Sequence, residues 1–195
     1  MRTKKYTIIS FIFWSIFIAF GISTFRKGGN NNKAVQQNEL TSIVGTLENQ
    51  PTIQKSKSGP HVPIKVKEYP GFVFNVGGVN YTAFNEDFTS EVMKGDTIHL
   101  YILTHDYDTK IDKKKHISFS EQVITYKFIE PYAIHSNGKF YMKLEDTNRE
   151  IEHNRWLGFW FFSTGALFFL LYSILYWTGS LRRFAIWWNH LQAGG

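Results

Sequence analysis

The chain has 195 residues, 43% hydrophobic, 17% aromatic and 19% charged, which excludes a disordered or collagen-like polypeptide. Its formal net charge of +6 is uneven: residues 1–27 hold five basic side chains and no acid, the tail beyond Trp156 holds Arg182 and Arg183, and the other 15 basic residues share the middle with all 16 acids. Positive ends around a mixed-sign middle exclude nucleic acid as the target, and the absence of cysteine excludes disulfides, thiolate metal sites and cysteine nucleophiles.

A basic N-tail, residues 1–5, leads into residues 6–25, which carry no charge, include Trp14 and five phenylalanines, and stop at Arg26-Lys27. About 20 apolar residues cross a hydrocarbon core of roughly 30 Å as a helix, and the run is longer than the 7 to 15 or so residues of a cleaved signal, so a retained signal anchor is expected. Within it Ser15, Ala19 and Ser23 recur every fourth residue, a stripe where another helix can approach closely. Residues 26–39 (Arg26 to Glu39), rich in Asn, Gln and Gly, read as a flexible linker.

From 40 to 146 the pattern is β. Short β-branched and aromatic runs lie at 42–47, 62–69, 72–76, 80–84, 97–103, 123–129, 132–135 and 140–144, separated by turn chemistry. Asn137-Gly138 predicts a type I′ hairpin with Ser136 at its tip, and Tyr69-Pro-Gly71, Gly77-Gly78 and Lys94-Gly-Asp96 predict corners. The expected fold is a mainly β soluble domain, a small β-barrel or β-sandwich, flanked by two transmembrane helices.

Residues 147–155 are expected to be a helical lead-in, with Thr147 as cap and Glu150 as its capping-box partner. The second span, 156–177, has Gly158 and Gly165 two turns apart as packing positions, and Trp156 and Trp177 mark its ends at headgroup depth. Residues 178–195 place Leu181, Phe184, Trp188 and Leu191 at helical spacing beside Arg182 and Arg183. With Trp187 they predict an amphipathic tail lying on the membrane surface. A loop of this length translocates largely regardless of charge. The basic start then favours both termini in the cytoplasm and the β domain on the periplasmic or extracellular side.

Catalytic signatures do not emerge. None of the seven histidines forms the His-Glu-x-x-His pattern, and no Gly-x-Ser-x-Gly elbow or phosphate-binding loop is present. His105 to Asp112 offers alternate carboxylates, but it lacks the turn glycine of a calcium loop and runs into Lys113-Lys-Lys115, so it reads as a solvated loop. No cofactor and no metal are expected.

Val44-Gly-Thr-Leu47, Glu68-Tyr-Pro-Gly71, Lys94-Gly-Asp96 and Gly138-Lys-Phe-Tyr141 are the features in which the chain resembles uncharacterised bacterial two-span inner-membrane proteins with a small extracytoplasmic β domain. The resemblance implies the same layout and no assigned activity. The function expected is noncatalytic: a β domain that binds a partner, as accessory or scaffold subunit of a membrane or envelope complex. Its partners are the lipid bilayer and another membrane or envelope protein, or a second copy. The alternatives are a homo-oligomeric pore or transport component, and an envelope enzyme built from dispersed residues such as His99, His105 and Asp106.

Overall fold

The structure is a computed structural model that describes residues 12–20, 22–23, 33–113 and 126–178. It divides into a central unit, Lys33–His153, and a unit formed by the two ends of the chain.

Among the described residues the central unit holds eight strands: β1 (Leu40–Thr46), β2 (Gln54–Ser56), β3 (Gly59–Ile64), β4 (Val73–Gly77), β5 (Thr97–Leu103), β6 (Phe128–Ile129), β7 (Pro131–Ser136) and β8 (Lys139–Met142). They form two four-stranded sheets. Sheet 1 has the order β1-β5-β7-β8 and is antiparallel throughout; sheet 2 has the order β2-β3-β4-β6, with β6 parallel to β4. Strand alternation builds the core: Ile43, Leu100, Ile134 and Met142 form one cross-strand row on sheet 1, and Ile64, Phe74 and Ile129 form another on sheet 2. All are buried, each contributing about 1.5–3 kcal/mol by leaving water. Phe84, Phe88 and Tyr141 add an edge-to-face stack to this core.

The two sheets meet at one corner. β1 continues into a bridge between Leu47 and Val66, with Lys67 N–H donating to Thr46 O. A β-carbon on Gly45 would overlap Val66 and lie 2.6 Å from Glu68 Oε2, which is why this strand position is glycine. Glu68 closes the corner by accepting from Thr46 N–H at 2.7 Å and Thr46 Oγ1 at 2.9 Å, and these bonds hold its carboxyl below the ordinary carboxylate value. Gly95 N–H donates to Leu47 O, and Asp96 Oδ2 accepts from Asn137 Nδ2. The corner therefore gathers residues of three of the four short motifs, with Asn137, next to the fourth, bonded to Asp96.

Several expectations are corrected. The run 80–84 is not a strand but lies in α2 (Val79–Thr82) and its exit: Gly78, at φ 57°, turns the chain, and the buried Asn80 amide donates to Pro131 O. β3 stops at Ile64, short of the expected Tyr69, because the next residues pair with the end of β1 instead, Glu48 N–H donating to Lys65 O, before a turn in which Tyr69 N–H donates to Val66 O. β2 is an unexpected strand, exposed at every residue. Ser136 is not an exposed tip; it is 1% exposed and donates to Thr97 O, while Asn137 and Gly138 form the turn, both at positive φ as a type I′ pair requires. Thr147 is no cap either. The C-terminal helix begins at Leu144, and the Thr147 hydroxyl lies inside it, donating to Tyr132 O and Lys143 O. The end of the expected linker is part of the domain, with Val35 buried against Tyr132 and Ile151 and its N–H and C=O both bonded to the Asn148 amide. The expected strand 123–129 is described only from residue 126, where β6 occupies two residues.

In the other unit, residues 12–20 form α1, and the C-terminal helix, here α5 (Leu144–Trp177; α3, Phe88–Glu91, and α4, Thr104–Asp106, are short), enters beyond His153. Among the described residues α5 is the one helix long and apolar enough to cross a membrane. Two such spans were expected; the first run, 6–25, is described only in part, at 12–20 and 22–23, all helical.

Candidate functional site

The helix-packing residues divide. Gly165 lies against Phe17, whose ring would be 2.8 Å from an added β-carbon, and Phe13, Phe17 and Phe20 pack on Phe162 and Phe169 with centroids 5.2–6.1 Å apart. Gly158 is half-buried. Ser15, Ala19 and Ser23 are exposed, and the contacts between α1 and α5 include phenylalanine on phenylalanine as well as Phe17 on Gly165. Trp156 is 45% exposed, in company with Trp160, Phe161 and Phe168 at 62–69%. Trp177 ends α5, whereas Arg182, Arg183, Trp187 and Trp188 lie outside the described residues.

In the β domain the sheet registers create a surface that spacing alone does not reveal. Val44 faces His99, His99 faces His135, and His135 faces Phe140, one row across all four strands of sheet 1. Their strand neighbours Ile43, Leu100 and Ile134 are buried, which turns this row outward. The His99 and His135 ring centroids are 5.5 Å apart and the His135 and Phe140 centroids 4.8 Å apart, while Val44 and Phe140 at its ends are 47% and 46% exposed. Beside it lies a groove of about 330 Å³ whose lining is apolar at Leu40, Tyr101 and Phe140 and polar or charged at Gln37, Lys143 and Glu145.

The outer face of sheet 2 is hollow and polar instead. Glycine and proline at Gly59, Pro60, Pro63 and Gly77 leave a cleft of about 720 Å³, onto which His61, Lys65, Asn75 and Glu130 also open. Glu130 is where the chain passes from β6 to β7. Burial, reinforced by the Asp106 charge, raises its carboxyl above the ordinary value.

That crossing is fixed by a group expected to be solvated. His105 to Ile111 is ordered: α4 runs into a π-helical turn, Tyr107–Ile111, marked by Asp112 N–H donating to Tyr107 O. Lys110 is 7% exposed; its ammonium lies 2.9 Å from Asp106 Oδ1 and donates to Phe128 O at 3.0 Å. Asp106 is thus committed to an ion pair rather than to a cation site. The i, i+4 spacing of Asp106 and Lys110 was the one signal in the sequence. The dispersed trio is not assembled by these contacts either: His99 meets His135 edge-on, the His105 carbonyl accepts from Thr109 Oγ1, and Asp106 holds Lys110. Among the described residues no group of three or more His, Cys, Asp or Glu side chains is placed to hold a metal ion.

No protein-family model matches the chain, and none of the curated proteins matches it.

Proposed function

We propose that the protein is a membrane-anchored, noncatalytic binding module that docks a folded, uncharged surface of another membrane protein on the outer face of sheet 1. The observation that carries this reading is the Val44–His99–His135–Phe140 row with its adjoining groove. An antiparallel sheet that faces water alternates apolar-in with polar-out. Sheet 1 keeps that pattern at Ser42, Thr46 and Thr97, but the row between them is aliphatic, aromatic and imidazole, with no carboxylate or ammonium in it, as in the desolvated centre of an interface. The groove's charged side chains, Lys143 and Glu145, are of opposite sign and offer neither an anionic nor a cationic partner a net countercharge.

The anchoring half of the reading draws on α5, whose exposed tryptophans and phenylalanines make an apolar surface costly in water and favourable in lipid. With residues 6–25 as a second span, both termini lie in the cytoplasm of a bacterial cell and the β domain lies outside the inner membrane. The partner is then an envelope or membrane subunit held at matching height. Self-association, as in a pore or transport component, is the competing reading and draws on the exposure of Ser15, Ala19 and Ser23.

Phe140→Glu tests the proposal in the full chain, purified in mild detergent from its native membrane. The wild type is expected to bring down one stoichiometric membrane protein, and the variant to lose it while the melting profile of the β domain stays unchanged. Equal recovery with the variant, or recovery of only a second copy of this chain, contradicts the reading.

A further inference from the structure

We propose that His99 and His135 form a two-imidazole site for a divalent transition metal on the open face of sheet 1. The two residues are direct cross-strand partners on antiparallel β5 and β7, so the backbone delivers both side chains to the same face at neighbouring positions. Their rings are 5.5 Å apart between centroids, with planes at 72°. For a metal–nitrogen bond of about 2.0–2.1 Å the ion sits roughly 3.2 Å from each ring centroid, so two imidazoles at a tetrahedral angle have centroids about 5.2 Å apart. The pair already stands within a few tenths of an ångström of that separation.

Three surrounding features favour occupancy. Among the described residues neither imidazole has a hydrogen-bond partner that an ion would have to displace. Phe140 packs on His135 at 4.8 Å and limits the rotation of its ring. The nearest cation in sequence, Lys139, is engaged by Glu91 at 2.7 Å. Two imidazole ligands with no carboxylate select Cu²⁺, Ni²⁺ or Zn²⁺ over Mg²⁺ and Ca²⁺. With only two ligands from this chain, the remaining positions stay open to water or to a donor brought by a docked protein. The two ligands lie within this chain, so metal binding is measured whether or not the docking proposal holds.

The test uses Cu²⁺ alone, added at one equivalent to the full chain in detergent and read by electron paramagnetic resonance. The expected spectrum shows hyperfine coupling to two imidazole nitrogens. Because linked ligands gain strongly over separate ones, His99→Phe and His135→Phe are each expected to weaken binding by about 100-fold or more and to abolish the two-nitrogen pattern. His61→Ala and His105→Ala should leave it intact. Hydrogen exchange in β5 and β7 checks that the phenylalanine variants remain folded, and if either does not, His99→Gln and His135→Gln replace them. A two-nitrogen spectrum that survives the folded variants, or a wild type that binds no Cu²⁺, overturns the proposal.

Discussion

Replacing Lys110 by methionine keeps the length of the side chain and removes only its charge and its donors. In the native protein that ammonium bridges Asp106 Oδ1 at 2.9 Å and Phe128 O at 3.0 Å, with the two ion-pair side chains 9% and 19% exposed. Breaking a fully buried pair costs about 3–5 kcal/mol, whereas an exposed pair is worth about 0–1 kcal/mol. Residual exposure of Asp106 places this pair between those limits, and the orphaned Phe128 carbonyl adds to the loss, so about 2–3 kcal/mol is expected. The damage should be local at first. Phe128 and Ile129 make the short parallel pairing with Val73 and Phe74, which is the outer edge of sheet 2. Hydrogen-exchange mass spectrometry on the full chain in detergent reads this directly. At about 1.36 kcal/mol per decade, peptides covering β6 and β4 should exchange roughly 30- to 150-fold faster in the variant, with sheet 1 much less affected. A change below about twofold would mean that Lys110 is an ordinary surface lysine and that the crossing is held by packing alone.

Glu130→Gln tests the raised carboxyl. A carboxyl raised in the folded state keeps its proton to higher pH than in the unfolded chain, so its contribution to stability is lost as pH rises from the ordinary value of 4.5 through the folded value. The variant should therefore gain on the wild type in thermal melts as pH increases from about 4 to 7, and a constant difference would show that the carboxyl titrates normally. Gly45→Ala forces a methyl group into Val66 and Glu68 and is expected to cost about 1–3 kcal/mol in denaturant melts; no loss would mean that the corner yields freely. Lys57→Cys adds a single thiol to an exposed turn of a cysteine-free chain, where an impermeant maleimide should react on intact spheroplasts. Reaction only after lysis would invert the proposed topology.

The strands that alternate over a buried face were legible. Thr97 to Leu103 reads apolar at every second position, and its buried residues Ile98, Leu100 and Ile102 are those the pattern selects. Asn137-Gly138 was equally plain, since both positions need positive φ and the sequence supplies the pair that accepts it. β2 was invisible because an edge strand of Gln, Lys and Ser buries nothing and so leaves no period. Asn80 to Phe84 carries strand-like residues, yet the Gly78 turn and the Asn80 bond to Pro131, 51 positions away, override local preference. The same limit hid the functional surface. His99 and His135 lie far apart in sequence and become a pair only once the β5–β7 register is set, and the burial of Lys110 depends on a carbonyl of β6.

The central claim, that sheet 1 presents the binding face, is tested most directly by photocrosslinking in native membranes. A photoreactive phenylalanine is placed in turn at positions 44 and 140 on the sheet 1 row and at position 55 on β2. The account predicts one adduct of the same mass, with a membrane protein other than this chain, from positions 44 and 140 and none from position 55. Adducts from position 55 alone, or none from the sheet 1 row, would contradict it.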